Sequence, residues 1–207
     1  MTVVALVLAA GASSRFGSPK LLAPLRGRPL LQHALDAVAA AGIDDVVVVL
    51  GADAAGIEAA IAWRGERRAV NERPWDGLSS SLRVGLDAAV EVPGADAVLV
   101  VLGDQPAVRP DVIRAVLAVG ASREAAHAQF VRPRYPVDPA PNPVLVRRSA
   151  WALAAGLDGD RGLGPLLADR PELVVEVAVE GENPDVDTPA DLAAVAAAAA
   201  APQEDPR

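Results

Sequence analysis

Apolar runs alternate with amphipathic stretches along most of the chain, and this pattern predicts alternating strands and helices. The runs that predict strands are residues 3–8, 46–50, 68–71, 97–102, 127–131, 143–146 and 173–179. The stretches that predict helices are residues 29–41, 53–63, 79–90, 110–119, 149–155 and 163–169, and a last one that begins at Thr188. Serines at the start of the 79–90 stretch are N-cap candidates, and Asp191 is expected to form a capping-box variant with Thr188. The alternation is typical of an α/β fold.

The composition fits one domain with a core of small aliphatic side chains. The chain has 207 residues, of which 52% are hydrophobic and only 3% are aromatic. Since no linker or internal repeat is visible, we expect one domain over residues 1–201 and a disordered tail over residues 202–207. The N terminus lacks the basic region of a signal peptide, and no apolar run is long enough to span a bilayer. The expected location is therefore the cytoplasm, without membrane contact.

Charge and cysteine content exclude several classes of function. The net charge of −8 argues against a general nucleic-acid binder. The absence of cysteine excludes disulfides, cysteine–zinc sites and thiol catalysis. An anionic nucleotide would therefore need a local basic cluster and a metal ion, because the field of the whole protein is negative.

The first apolar run leads into a loop of small residues that is followed by two cations. A glycine-containing turn after a buried strand is where open α/β sheets bind ligands, and small side chains let backbone N–H groups approach an anion. Arg15 can hold phosphate oxygens with its planar fork, and Lys20, the only lysine in the chain, can act as a mobile point charge. The residues of this loop that can contribute to an anion site are Leu8, Ala9, Ala10, Gly11, Ala12, Ser13, Arg15 and Lys20.

Two common phosphate loops do not fit this segment. A P-loop would need glycine five residues after Gly11, where Phe16 stands. The dinucleotide motif G-x-G-x-x-G fails as well, because Ser13 and Phe16 occupy the positions of its second and third glycines.

The loop instead resembles the signature L-A-A/G-G-x-S-x-R-M-G-x-x-K of the nucleotidyltransferase (MobA-like NTP transferase) family, and most closely its molybdenum cofactor cytidylyltransferase-like members. Here Phe16 replaces the usual methionine. The resemblance implies a three-layer Rossmann-like fold with a mostly parallel, mixed sheet and one antiparallel strand. It also implies that the loop residues named above, from Leu8 to Lys20, bind the nucleotide. In this family the loop N–H groups and the equivalent of Arg15 are expected to hold the β- and γ-phosphates of an NTP, while the equivalent of Lys20 neutralises the α-phosphate. The Ala9-Ala10-Gly11 sequence favours CTP as the donor.

Two acidic positions match the metal ligands of the same family. Asp104 follows the apolar run 97–102 in a G-D-Q-P sequence, and its counterpart holds the catalytic metal, so the implied catalytic residues are Arg15, Lys20 and Asp104. Asp187 lies in a segment similar to D-I-D-T-P-E-D-L and is implied as the second ligand for Mg²⁺. If both bind one ion, their carboxylates must lie within about 8 Å of each other. The alternative is that Asp187 only begins a helix.

The middle of the chain adds a possible contact for the base or the phosphates. Residues 71–82 resemble the segment N-x-x-W-x-x-G-x-S-S-S-L, and a serine-led helix start offers N–H and hydroxyl groups. We therefore expect Ser80 and Ser81 to bind the nucleotide.

The resemblance weakens where the acceptor should bind. Asn142 stands in place of the histidine of G-H-P-V-L, and Leu163 and Gly164 replace the Ala-Arg pair of G-D-x-G-A-R-x-L-L. His33 and His127, on a predicted helix and strand, are interpreted as structural or exposed.

The expected reaction is transfer of a nucleoside monophosphate, CMP from CTP, to a phosphorylated small-molecule acceptor, with release of pyrophosphate. The resemblance favours molybdopterin as the acceptor and implies a possible contact of the protein with a molybdoenzyme or its chaperone. Two alternatives stay open: a nucleotidyltransferase for a sugar, polyol or phospholactate phosphate, and a non-catalytic nucleotide-binding accessory protein of a molybdoenzyme.

Overall fold

The computed structural model describes residues 1–11, 13, 15–137 and 142–198 of the chain. The strands of these residues are β1 (Thr2–Ala9), β2 (Pro24–Leu25), β3 (Arg28–Pro29), β4 (Val46–Leu50), β5 (Arg67–Val70), β6 (Ala95–Leu102), β7 (Phe130–Arg134), β8 (Val144–Arg147) and β9 (Val174–Ala178). The α-helices are α1 (Leu30–Ala40), α2 (Ala54–Ala60), α3 (Leu78–Val90), α4 (Pro110–Ala121), α5 (Trp151–Ala155), α6 (Gly164–Asp169) and α7 (Pro189–Ala198).

One seven-stranded sheet runs through the molecule in the order β5-β4-β1-β6-β8-β7-β9. Strand β8 pairs antiparallel with β6 and β7, whereas every other pairing in this sheet is parallel. The expected mostly parallel sheet with one antiparallel strand is therefore confirmed. The short strands β2 and β3 form a separate hairpin that the sequence pattern did not predict.

Helices cover both faces of the sheet, which gives three layers. Alternate side chains of β1 point to opposite faces: Val7 joins a cluster with α1 and α4, and Leu6 joins a cluster with α3 and α5. Because the central strands are buried on both faces, their sequences are continuous apolar runs. Strand β4, for example, is VVVVL and is buried along its whole length.

Some predicted boundaries are wrong. Helix α2 ends at Ala60, three residues before the predicted end, because Ile61 adopts an extended conformation. The N-cap of α3 is Gly77 and not a serine. His127 lies in a turn before β7 and not in a strand, because it belongs to the two successive hydrogen-bonded turns that residues 123–128 form.

A few predictions fall outside the described residues. These are the nucleotide contact of Ala12 and the tail over residues 202–207. Within the described part of the chain, none of the helices combines the length and the apolar character that crossing a membrane requires.

Candidate functional site

The candidate site lies at the carboxyl edge of β1 and β6, where the topology gathers segments that are distant in sequence. The loop after β1 carries Arg15 and Lys20, and the loop after β6 carries Asp104. The segment before α7 joins them because the backbone N–H of Val186 donates to the backbone oxygen of Asp104 at 2.9 Å. This bond brings Asp187 to the same edge of the sheet.

Lys20 occupies the centre of the site. Its Nζ donates to Oδ2 of Asp104 at 2.7 Å and to Oδ1 of Asp187 at 2.8 Å. Only 7% of its surface is exposed, and its backbone N–H donates to Oγ of Ser13 at 3.1 Å. Burial alone would lower the pKa of Lys20, but the charges and hydrogen bonds of the two carboxylates outweigh burial and raise that pKa above its ordinary value. Lys20 is therefore a fixed ammonium at neutral pH.

Arg15 flanks this cluster from the solvent side. Its Nη2 lies 2.8 Å from Oδ2 of Asp187, and 72% of its side-chain surface is exposed. An exposed guanidinium at the rim can leave the carboxylate for a phosphate at little cost, because surface ion pairs contribute little stability.

The geometry agrees with the distance that a shared metal requires. The bonded oxygens of Asp104 and Asp187 are separated by at most the sum of their distances to Nζ, about 5.5 Å, which lies within reach of one Mg²⁺ directly or through water. No group of three histidine, cysteine or acidic side chains arranged to hold a metal occurs among the described residues. The chain thus supplies two convergent carboxylates, and metal binding by this pair stays a prediction.

A third carboxylate, Asp185, belongs to the site and was missed from the sequence. It accepts a hydrogen bond from Nε2 of buried Gln105 at 2.9 Å, and Oε1 of Gln105 in turn accepts one from Asn183 at 3.1 Å. Desolvation at the cleft and the negative charges of Asp104 and Asp187 raise the pKa of Asp185 to about 6. Asp185 as a whole is exposed, so the protein removes water from only one side of its carboxylate. The sequence feature that could have indicated Asp185 is its position two residues before Asp187.

The final helix holds Asp187 in position. The backbone N–H groups of Asp187 and Thr188 both donate to Oδ2 of Asp191, at 3.1 Å and 2.7 Å, and the Asp191 N–H donates to Oγ1 of Thr188 at 3.2 Å. The Thr188 hydroxyl also donates to Oδ2 of Asp191 at 2.8 Å, and this bond, together with those from the N–H groups of Thr188 and Asp187, lowers the pKa of Asp191. The predicted capping box is confirmed, and it coexists with an Asp187 side chain that faces the site.

The side chains of Asp104, Asp185 and Asp187 line a cleft of about 370 Å³. The described residues that line it are Leu8, Ala10, Gly11, Pro74, Trp75, Gly77, Leu78, Ser81, Leu102, Asp104, Asp160, Asp185 and Asp187. Trp75 is notable because 74% of its surface is exposed in a chain with few aromatic residues. Such a ring at the rim of a cleft offers a stacking surface for a planar group.

Ser80 and Ser81, in the first turn of α3, differ in what their hydroxyl groups contact. Asn71 Nδ2 donates to Oγ of Ser80 at 2.8 Å and of Ser81 at 3.0 Å, and Ser80 Oγ donates to the Gly77 oxygen at 2.7 Å. The Ser80 hydroxyl is therefore engaged inside the protein, and its predicted nucleotide contact has less support than that of Ser81, which lines the cleft.

Position 77 needs glycine for two reasons, its backbone conformation and the lack of room for a Cβ atom. Its φ is +94°, and a Cβ atom there would lie 2.4 Å from the carbonyl carbon of Gly159. This close approach lets the segment with Asp160 form one wall of the cleft.

Comparisons with known proteins show what the whole chain resembles. The family model of the MobA-like NTP transferase domain matches residues 5–175. Nicotine blue oxidoreductase of Paenarthrobacter nicotinovorans is 33% identical over 193 residues, which cover 90% of this chain and 92% of that protein. Bifunctional protein GlmU of Dinoroseobacter shibae is 42% identical over 125 residues, but these are 59% of this chain and 27% of that protein.

Solved structures give the same result. Rv0371c from Mycobacterium tuberculosis H37Rv superposes with a TM-score of 0.82 at 34% identity, over 95% of this chain and 98% of that one. A structure of Rv0371c in complex with manganese gives a TM-score of 0.80 at 32% identity, over 95% and 99% of the two chains. The resemblance of the first loop to the MobA-like NTP transferase family is confirmed, and so is the predicted Rossmann-like α/β fold.

Proposed function

This chain belongs to the MobA-like NTP transferase family, and we propose that it transfers a nucleoside monophosphate from an NTP, CTP by preference, to a phosphorylated small molecule. The observation that carries the proposal is the position of Lys20, whose ammonium group lies between the carboxylates of Asp104 and Asp187 at 2.7 Å and 2.8 Å. A buried cation and two convergent carboxylates beside a loop of small residues are the groups that phosphoryl chemistry needs.

In the proposed reaction an oxygen of the acceptor phosphate attacks the α-phosphorus of the NTP. The bond between that phosphorus and the bridging oxygen breaks, and the electron pair leaves with pyrophosphate. N–H groups of Ala10 and Gly11, together with Arg15, would hold the β- and γ-phosphates, and Lys20 would stabilise the charge that develops on the α-phosphate. The acceptor phosphate is itself the nucleophile, so no general base is required.

The pair Asp104 and Asp187 would hold Mg²⁺, since carboxylate oxygens and substrate phosphates are the ligands that this ion prefers. A bound divalent cation would neutralise phosphate charge and align the reacting groups. The manganese complex of Rv0371c supports a divalent ion in this family.

The test is a screen for pyrophosphate release with CTP, GTP and ATP against several phosphorylated acceptors, with molybdopterin as one of them. We expect release with CTP that EDTA abolishes and that Mg²⁺ restores. Lys20→Met, which removes the ammonium while keeping the side chain long and apolar, should lower kcat far more than it raises the KM for CTP. Binding of CTP without release for every acceptor would contradict the proposal and favour a non-catalytic accessory protein.

A second candidate is an oxidoreductase. It is favoured by the match to nicotine blue oxidoreductase over 90% of this chain, and the exposed ring of Trp75 in the cleft could stack on a planar molecule. A change in the visible absorbance of a planar dye that requires both the protein and an added two-electron donor or acceptor, without pyrophosphate release from any NTP, would favour this function instead.

A further inference from the structure

A second, smaller cavity adjoins the acidic cleft. It has a volume of about 150 Å³ and shares the side chains of Leu8, Leu78 and Leu102 with the cleft. Leu82 of α3, Val100 of β6 and Leu163 complete its apolar wall, with Gly162 and Gly164 beside them. We call this cavity the apolar pocket. The shared residues make the two spaces direct neighbours, and a molecule at the acidic edge would reach the apolar pocket past the side chains of Leu8, Leu78 and Leu102.

The wall of the apolar pocket contains a single polar side chain among the described residues, that of Asn142. Asn142 is only 8% exposed, and none of the hydrogen bonds of the described residues involves its side-chain amide. Its backbone oxygen accepts a bond from Nδ2 of Asn183 at 3.3 Å, and the same Nδ2 donates to Gln105 at 3.1 Å. This network joins the pocket wall to Asp185 at the acidic edge.

Size and polarity define what the apolar pocket can hold. A cavity of about 150 Å³ lined by aliphatic side chains is large enough for benzene. A sugar or polyol would leave several hydroxyl groups without partners against this wall, which disfavours such acceptors. One amide can satisfy one polar atom of an otherwise apolar group.

The nucleobase does not suit this pocket. Cytosine presents an amino donor and two acceptors along one edge, whereas the described wall offers one side-chain amide. The base also has a better place beside the exposed ring of Trp75 and the hydroxyl of Ser81, which line the larger cleft.

We propose that the apolar pocket binds the non-phosphate end of the acceptor, and that this end is a single ring or a branched apolar chain with one hydrogen-bonding atom. This inference rests on the proposed nucleotidyl transfer and narrows its acceptor to an apolar monophosphate ester. Leu163 is the residue that sets this specificity, because it closes the pocket where the chain enters α6.

The first experiment uses benzyl alcohol as a probe of the pocket and needs no turnover. In methyl NMR spectra of the wild-type protein, we expect the resonances of Leu82, Val100 and Leu163 to shift on titration. The resonances of Leu35 and Val38, which are buried on the opposite face of the sheet, serve as the control and should not shift. The shifts should survive saturating CTP, and benzyl phosphate should displace the probe. Displacement by CTP, or no shift at the pocket methyls, would overturn the inference.

The second experiment compares benzyl phosphate with glycerol 3-phosphate as acceptors in the pyrophosphate assay. We expect kcat/KM to favour benzyl phosphate, and Leu163→Phe, which fills the pocket, to lower that value at least about tenfold. Leu163→Met, which keeps the volume, should lower kcat/KM less than Leu163→Phe does, and CTP binding should be unchanged in both variants. A preference for glycerol 3-phosphate would overturn the acceptor assignment alone. Absence of release with every acceptor would overturn the proposed function, and the methyl shifts would still decide whether the pocket binds an apolar group.

Discussion

Replacing Lys20 by methionine removes the cation that separates Asp104 and Asp187. In the wild-type protein each carboxylate lies within 2.8 Å of the ammonium group, and Lys20 is 7% exposed. In the variant the two carboxylates would face each other across at most about 5.5 Å, with the exposed Arg15 paired to Asp187. The folded state should therefore lose stability at neutral pH, whereas the unfolded chain is little affected.

The size of this loss follows from the burial of the three groups. Removing one partner of a fully buried ion pair costs about 3–5 kcal/mol. The side chains of Asp104 and Asp187 keep 23% and 32% of their surface exposed, so water screens part of the repulsion. We therefore expect Lys20→Met to lower the free energy of unfolding by about 2 kcal/mol in the absence of metal.

Urea unfolding at pH 7.5 with EDTA measures this loss, and Arg28→Met provides the control. Arg28 pairs with Asp36 at the surface with 49% of its side chain exposed, and losing such a pair should cost less than about 1 kcal/mol. Added Mg²⁺ should stabilise Lys20→Met more than the wild type, because the ion does not compete with an ammonium group in the variant. Equal loss in Lys20→Met and Arg28→Met, or equal stabilisation of variant and wild type by Mg²⁺, would refute the reasoning.

Three further predictions concern the same site. Asp104→Asn and Asp187→Asn should each abolish most Mg²⁺-dependent pyrophosphate release, and the double variant should lose little beyond the worse single one; full additivity in kcat would argue against a shared ion. CTP with Mg²⁺ should raise the melting temperature more than GTP does, and a larger shift with GTP would remove the cytidylyl preference. Since the folded-state pKa of Asp185 is raised to about 6, its contribution to stability is fully present below the pKa of the unfolded chain and is lost as the pH rises through about 6. In buffers with EDTA, Asp185→Asn should therefore match the wild type in melting temperature near pH 4 and exceed it above pH 6, and an advantage of the variant that is constant with pH would contradict the assignment.

The central part of the fold could be predicted because burial on both faces leaves a simple mark in the sequence. The valine run of β4 was predicted with its observed ends, Val46 and Leu50. Helix α2 was predicted too long because its last turn is replaced by an extended Ile61 and by a hydrogen bond from the Ala62 N–H to the side chain of Gln32. That bond joins residues 30 positions apart, and local propensity contains no information about it.

Part of the candidate site could also be predicted from the sequence. Lys20 and Asp104 follow buried strands, so their place at the sheet edge could be inferred from topology. The apolar pocket could not be inferred, because β1, α3, β6 and the residues before α6 each contribute part of its wall. Asp185 was missed for a related reason, since its raised pKa depends on neighbours that only the fold assembles.

The position of Asp187 links the site to the last helix. None of the described residues of α7 is buried, and the helix packs through partly buried Leu192 and Val195 against Val186, which is fully buried. A helix held by so few apolar contacts belongs to the least stable part of the structure. The ion pair that Asp187 makes with buried Lys20 therefore contributes to the docking of α7 as well as to the charge balance of the site. A ligand that draws Lys20 away from Asp187 would therefore weaken the docking of α7 unless another cation takes the place of the ammonium group beside Asp187.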